Sequence, residues 1–147
     1  MDRVVKEGAA ESGEMPVLLR RALLADAVVS GGAGIGWTLG AEPLGEVLGL
    51  PVGLLRRAGL VALAWAAVAA HVGTRERVAR SVVWVVIGGN LVWAVGSVLL
   101  VSAWWVEPTA AGYAFVIGQA VAVGLLAEAQ YVGWRRMAPT LAKRAAG

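Results

Sequence analysis

Four long blocks of apolar residues constrain this chain more than any other feature of its sequence. Residues 82–103 contain no charged residue, 109–132 contain only Glu128, and 22–41 contain only Asp26. The fourth block, 54–72, begins near two arginines whose heads can bend toward the lipid headgroups. Because a helix of about 20 apolar residues crosses the ~30 Å hydrocarbon core of a bilayer, the sequence predicts four transmembrane helices.

Composition supports the membrane assignment. The chain has 147 residues, of which 59% are hydrophobic and 16% are charged. A soluble domain of this length has too small an interior to bury that much apolar surface, so the excess must face lipid. We therefore predict an all-α polytopic membrane protein, in which four transmembrane helices form an antiparallel bundle with short connections.

The positions of lysine and arginine predict the orientation of this bundle. Eleven of the 13 lie in the N-terminal segment, the 73–80 connection or the C-terminal segment, which share one side of the membrane. Positive flanks are retained in the cytoplasm, so both termini are predicted to be cytoplasmic, in the plasma (inner) membrane of a bacterium. The predicted divisions are a polar, mobile tail (1–17), a transmembrane domain (18–134) and a basic tail (135–147).

The basic inner face predicts that these charges meet a lipid bilayer and not a nucleic acid. Anionic headgroups attract basic juxtamembrane segments, whereas the sequence has no basic stripe with interleaved aromatic residues. Cysteine is absent from the sequence, which excludes disulfides, thiol catalysis and cysteine-ligated metals.

The glycine-rich stretch 30–36 resembles the phosphate-binding turn of short-chain dehydrogenases, but it departs from their spacing. Two residues, where that family has three, precede the Gly-x-Gly. The broader G-x-G-x-x-G pattern fails because Trp37 occupies the position of the third glycine, and no βαβ unit follows. The sequence therefore argues against a nucleotide site.

The same glycines fit a helix-packing face. Gly32, Gly36 and Gly40 recur every four residues, so they share one face of the first helix and allow a neighbouring backbone to approach closely. Glycine is also common in membrane helices for no special reason, which is the competing interpretation.

Tryptophan is expected in two roles. Trp104, Trp105 and Trp134 flank predicted spans, where indole rings act as interfacial anchors. Tryptophans within the spans are expected to pack, with each indole N–H finding a partner. A pigment or cofactor pocket built from them is the alternative, and no cofactor is predicted. The tryptophans within the spans are Trp65, Trp84 and Trp93.

Polar residues inside the spans form the predicted site, because each is costly in hydrocarbon and turns toward protein or water. Counting 1.5 Å per residue places three of them near the inner face and two near the midplane. The inner layer consists of Asp26, His71 and Glu128, and the midplane layer consists of Asn90 and Gln119.

Each layer has a functional and a structural interpretation. Carboxylates and imidazole in the inner layer suit a divalent metal or a proton relay. Pairing with nearby arginines is the simpler expectation, and no metal is predicted. For the midplane layer we expect a hydrogen bond between Asn90 and Gln119 that joins two helices and contributes about 0.6 kcal/mol.

The chain resembles the uncharacterised small four-helix integral membrane proteins of bacteria, a resemblance of architecture that covers residues 22–132. It also shares four helices and an acid in the first helix with small multidrug exporters. It differs from them in its greater length, in the shallow position of Asp26 and in lacking their aromatic-rich signature around the acid.

These observations predict a non-enzymatic accessory or scaffold subunit, which either self-associates as a homo-oligomer or packs against a larger membrane protein. The alternative is a small proton-coupled transporter that uses the intramembrane acids. A scaffold predicts a closed interior with its acids paired to arginine. A carrier predicts a cavity lined by Asp26, Asn90 and Gln119. An enzyme is not expected, because no Ser–His–Asp arrangement or phosphate loop is present in the sequence.

Overall fold

The computed structural model describes residues 12–103 and 105–145, and the side chains of 14–103 and 105–136. In this part of the chain five helices and two short strands follow one another. The helices are α1 (Val17–Leu39), α2 (Ala41–Leu48), α3 (Val52–Gly73), α4 (Arg80–Ser102) and α5 (Ala110–Ala145). The strands are β1 (Ser12–Glu14) and β2 (Arg77–Ala79), which pair antiparallel.

Four of these helices are long and apolar enough to cross a membrane. They are α1, α3, α4 and the Ala110–Arg136 portion of α5. Their length and composition suggest a helical, multi-pass membrane protein, and the prediction of four helices able to span a membrane is confirmed. Large apolar side chains remain exposed along them, such as Val28, Val92 and Leu125, as expected of surfaces that face acyl chains.

The helices begin and end at residues with clear backbone reasons. Pro16 and Pro51 immediately precede α1 and α3, where the fixed φ of proline and its missing N–H are compatible with a helix start. Gly49 ends α2 with a φ of 66°, a left-handed conformation that favours glycine. The Glu107-Pro108 pair lies between α4 and α5, because the residue before a proline avoids helical geometry.

Three boundaries differ from the predicted ones. Helix α1 begins at Val17, five residues before the predicted start, and α5 continues to Ala145 through the predicted C-terminal tail. Part of the predicted N-terminal tail is ordered, because Ser12–Glu14 pairs with Arg77–Ala79. Residues 1–11 lie outside the described part of the chain.

Helix α1 packs most extensively on α3, α4 packs on α5, and α1 also packs on α5. Helices α1 and α3 approach closely at Gly34 and Gly59. A Cβ placed on Gly34 would lie 2.8 Å from the carbonyl oxygen of Gly59, so only glycine allows this separation. Helices α3 and α4 are not among the extensively packed pairs.

Two apolar clusters fill the interior. The cluster beside the β ribbon includes Leu19, Leu23 and Val83, all at 0% exposure. The cluster beside α2 includes Ala41, Leu48 and Val116. Apolar contacts alone give a helix little preference for a protein neighbour over lipid. Hydrogen bonds between polar residues of the long helices therefore do most to determine which helix faces meet.

Candidate functional site

Asp26 is the centre of a buried polar network that joins α1, α4 and α5. Its side chain is fully buried. Oδ1 accepts a hydrogen bond from Ser30 Oγ at 2.9 Å. Oδ2 accepts from Asn90 Nδ2 at 2.7 Å and from Gln130 Nε2 at 2.8 Å. A buried carboxylate is tolerated only when donors replace the water that it has lost, and three side chains supply those donors here.

Trp65 of α3 adds the fourth long helix to this network and fixes the orientation of the Asn90 amide. Its indole Nε1 donates to Asn90 Oδ1 at 3.0 Å. Because an indole N–H only donates, the oxygen of Asn90 must face Trp65 and the nitrogen must face Asp26. The same nitrogen donates to Gln130 Oε1 at 3.2 Å. Both hydrogens of the Asn90 amide are therefore used.

The structure thus brings together two of the five predicted site residues, Asp26 and Asn90. Gln130, which is fully buried, completes the network although it is not in the predicted set. The predicted fourth span ends at residue 132, which places Gln130 at the membrane boundary. In the structure α5 continues to Ala145, so Gln130 lies well inside a helix. The sequence alone does not show this, nor that the Gln130 side chain is buried.

Gln119 belongs to a second, smaller network between α4 and α5. Its Oε1 accepts the indole N–H of Trp93 at 2.9 Å, and its Nε2 donates to Ser97 Oγ at 2.8 Å. Ser97 Oγ in turn donates to the Trp93 carbonyl oxygen at 2.8 Å. The expected hydrogen bond between Asn90 and Gln119 is absent from the contacts of these two amides. Asn90 bonds Trp65, Asp26 and Gln130, whereas Gln119 bonds Trp93 and Ser97.

The indole partners expected for the tryptophans within spans are confirmed for Trp65 and Trp93. Trp93 also stacks on Trp37, with ring centroids 6.2 Å apart and an interplanar angle of 10°. Phe115 meets Trp37 edge-on at 5.7 Å. Aromatic side chains from α1, α4 and α5 thus form one contiguous wall.

These aromatic side chains line one side of a cavity of about 550 Å³, which lies between α3 and α4. We call it the α3–α4 cavity; α1 and α5 form its back, and its lining is mostly apolar. Its volume lies within the ~300–1,000 Å³ range of small-molecule sites. The lining includes Trp37, Trp65 and Trp93, the polar side chains Ser30, Asn90, Ser97 and Gln119, and the exposed Arg57.

Asn90 connects the cavity to the buried acid. It lines the α3–α4 cavity and donates directly to Asp26, which is not part of the lining. Trp65 closes the cavity at this level, since its ring lies against Gly89 of α4 so closely that a Cβ there would overlap it. A change at Asp26 can therefore reach the cavity through Asn90 and through Ser30, which both bond it and both line the cavity.

His71 and Glu128 lie apart from this network. His71 is exposed near the end of α3, where its Nε2 accepts from Arg75 Nη2 at 2.8 Å, since a guanidinium only donates. Glu128 is exposed on α5. Among the described residues no group of three His, Asp or Glu side chains is placed to hold a metal ion.

The expected arginine partner of Asp26 is replaced by amides. Arg20, an arginine of α1, donates from Nε to the Gly73 carbonyl oxygen at 3.2 Å. It thereby satisfies the end of α3, where carbonyl groups lack helical partners. Within the described residues the salt bridge present is Arg56 to Glu42 at 2.7 Å, far from Asp26.

Among residues 14–103 and 105–136, nothing packs on the predicted glycine face at Gly32 and Gly36. Nothing lies within 4 Å of a Cβ placed on Gly32 or Gly36, and a Cβ on Gly40 meets only the nearby Gly36 and Leu44. The glycine of α1 that permits close approach is Gly34, which faces α3. The four-residue spacing places the three glycines on one face of α1, but the close contact with α3 is made by the face that carries Gly34.

The predicted interfacial tryptophans differ in their exposure. Trp105 is 77% exposed, which fits an anchor, and Trp104 lies outside the described residues. Trp134 is only 8% exposed: its ring packs against Trp84 with centroids 5.1 Å apart, and Arg80 lies over it at 4.8 Å. Because α5 extends past residue 134, this ring is held between helices and is not at a helix end.

Comparison with protein-family models, with curated proteins and with solved structures gives no match for this chain. The function of the chain must therefore be inferred from the geometry of the two networks and the cavity.

Proposed function

We propose that the chain is a non-enzymatic, multi-pass protein of the bacterial plasma membrane that acts as a small proton-coupled carrier. Its four spans form an antiparallel bundle with both termini in the cytoplasm, as the distribution of lysine and arginine indicates. Its ligand is a membrane-soluble molecule that occupies the α3–α4 cavity.

One observation carries this proposal: Asn90 lines the cavity and also donates a hydrogen bond to the buried Asp26. A closed interior with its acid paired to arginine, as expected of a scaffold, is a poorer description. The interior is open between two helices, and every hydrogen bond that the structure gives Asp26 comes from an uncharged group.

The chemistry of the network provides the coupling. An ionised carboxylate only accepts hydrogen bonds, whereas a protonated one carries a hydrogen that must find an acceptor. Both hydrogens of the Asn90 nitrogen point at acceptors, Asp26 and Gln130. Proton uptake by Asp26 therefore requires at least one of its three donors to turn away or to accept the new hydrogen. Any rotation of Asn90 changes the cavity wall, and by reciprocity a ligand there changes proton affinity.

Binding of a neutral fluorescent dye, N-phenyl-1-naphthylamine, tests the proposal. We would measure energy transfer from tryptophan to the dye in nanodiscs containing the protein, with empty nanodiscs as the blank. Gly96 lines the cavity, and nothing lies within 4 Å of a Cβ placed on it, so Gly96→Leu fills the cavity without a clash at the Cβ. Gly88→Leu is the matched control, on the same helix, in open space and outside the lining.

We expect transfer to fall in Gly96→Leu and to persist in Gly88→Leu. Dye affinity should depend on pH in the wild type and become independent of pH in Asp26→Asn. Equal transfer in both glycine variants would exclude a ligand in the cavity. An unchanged pH profile in Asp26→Asn would exclude coupling through this acid.

A second candidate is the accessory or scaffold subunit, favoured by the open glycine face of α1. Gly32 and Gly36 have nothing within 4 Å of an added Cβ, so this face leaves room for another helix, from a second copy or from a larger membrane protein. Native mass spectrometry of protein gently released from membranes tests this candidate. A heteromeric mass or a homo-oligomer that Gly36→Leu dissociates supports it, and a monomer in both cases contradicts it.

A further inference from the structure

Two neighbouring arginines on α3 have different environments. Arg56 donates from Nη2 to Glu42 Oε1 at 2.7 Å, an exposed salt bridge. Arg57 donates from Nε to the Gly53 carbonyl oxygen at 2.9 Å and lines the α3–α4 cavity. Among the described residues no carboxylate lies within salt-bridge distance of Arg57. One of two adjacent cations is thus neutralised by the protein, and the other faces a cavity.

The position of Arg57 on α3 favours an anion beside it. Its guanidinium folds back over Gly53, in the first turn of the helix. A cation beside a helix N-terminus is unfavourable, because the helix dipole presents positive charge there. The first turn of α3 contains no acidic residue. The carboxylate of Glu42 offsets this repulsion for Arg56, so a bound anion would do the same for Arg57.

Most of the remaining cavity wall is apolar, and on α3 it extends along the helix from Arg57. Arg57 and Trp65 both line it and are eight residues apart on α3, about 12 Å along the helix axis. Between them the α3 wall is formed by Ala58, Val61 and Ala62. A ligand that meets Arg57 with a polar head therefore has an apolar body directed toward Trp65.

We propose that the α3–α4 cavity binds an anionic amphiphile whose acidic head pairs with Arg57 and one apolar chain of which lies between α3 and α4. This assignment rests on the proposed function, since it names the ligand class of the same cavity. The shared chemistry is a carboxylate or phosphate joined to an acyl chain, as in a free fatty acid or an anionic phospholipid.

Displacement of the naphthylamine dye by three probes tests the charge requirement. The probes are hexadecanoate, the neutral hexadecanol of equal chain length, and dipalmitoyl phosphatidylglycerol, added to protein in uncharged detergent micelles. Arg57→Gln removes the charge and keeps a polar side chain. Arg56→Gln is the matched control, because it removes an adjacent cation that is outside the cavity lining.

In the wild type we expect hexadecanoate to displace the dye at a lower concentration than hexadecanol, by a factor of up to about five, the upper end for one partly exposed ion pair. Arg57→Gln should abolish this ratio, and Arg56→Gln should preserve it. The two anionic probes are then compared by how much of their dye displacement Arg57→Gln removes. If hexadecanoate loses more than phosphatidylglycerol, the free acid is the better ligand; if phosphatidylglycerol loses more, the phospholipid is.

The outcomes separate failure of this inference from failure of the proposed function. If hexadecanol and hexadecanoate displace the dye equally in the wild type and in Arg57→Gln, the cavity binds apolar chains without charge recognition, and the inference is overturned alone. If Gly96→Leu binds the dye and all three probes as the wild type does, the ligands lie elsewhere and both proposals fail.

Discussion

The side-chain nitrogen of Asn90 lies 2.7 Å from Oδ2 of Asp26, and both residues are almost fully buried, at 2% and 0% exposure. This contact links α4 to α1 through a carboxylate whose hydrogen-bond partners in the described chain are all uncharged side chains. The burial of this carboxylate therefore depends on uncharged donors, and a third residue, Trp65, fixes the orientation of the Asn90 amide.

Replacing Asn90 with leucine should destabilise the protein. The substitution removes one donor from Asp26 and leaves the indole N–H of Trp65 without its acceptor. Unsatisfied buried polar groups cost about 1–3 kcal/mol, and we expect a loss of that size in the free energy of unfolding, measured by denaturant titration in detergent micelles.

Ser102→Ala is the control for this measurement. Ser102 is an exposed residue of the same helix, and its hydroxyl donates only to the Val98 carbonyl oxygen. Its loss should change stability by less than about 0.5 kcal/mol. Similar midpoints for Asn90→Leu and Ser102→Ala would show that the network contributes no net stability.

The two amide networks should be energetically independent. Asn90 and Gln130 share a hydrogen bond and a common acceptor, Asp26, whereas Gln119 bonds Trp93 and Ser97. In double-mutant cycles with alanine, we expect Asn90 and Gln130 to couple by about 0.5–3 kcal/mol, and Asn90 and Gln119 to add within about 0.5 kcal/mol. Strong coupling of Asn90 to Gln119 would contradict the separation.

Sequence reasoning locates the spans well because transfer of apolar residues to lipid is a local property of about 20 consecutive residues. It also selects Asp26 and Asn90 as inward-facing, because a polar group in hydrocarbon needs a protein partner. It does not identify the partners. Depth along each helix pairs Asn90 with Gln119, whereas the rotation of α4 and α5 about their axes pairs Asn90 with Gln130.

The glycines of α1 illustrate the same limit. Spacing by four residues places Gly32 and Gly36 on one face, but spacing alone does not state which face meets α3. The structure places Gly34 there, on the same side as the buried Asp26. Helix rotation is set by the whole set of contacts, including the long-range hydrogen bonds of Asp26 to Asn90 and Gln130, and these are invisible in local patterns.

Adding a methyl group to Gly59 should be damaging. A Cβ at this position would overlap Thr38 Oγ1 and lie 2.9 Å from the Gly34 carbonyl oxygen. Backbone cannot move aside as a flexible side chain does, so Gly59→Ala should lower stability by about 1–3 kcal/mol. Thermal unfolding in micelles, followed by circular dichroism, measures the loss.

Gly36→Ala provides the contrast, because nothing lies within 4 Å of its added Cβ. Alanine also favours the helix over glycine by up to about 1 kcal/mol in water, so this variant should be no less stable than the wild type as an isolated chain. If both variants lose stability equally, then Gly36 has a contact with a second chain and the isolated chain is the wrong reference.

Brominated lipids should distinguish the two tryptophans that the sequence groups together as anchors. Bromine on an acyl chain quenches indole fluorescence on contact, so quenching follows exposure to lipid. Trp105 is 77% exposed, whereas Trp134 is 8% exposed and covered by Trp84 and Arg80. In liposomes with bromine near the headgroup, Trp105→Phe should remove a quenchable component of the emission. Trp134→Phe should remove a component that bromine does not quench. If the Trp105 and Trp134 components are quenched equally, Trp134 contacts lipid and the expectation is wrong.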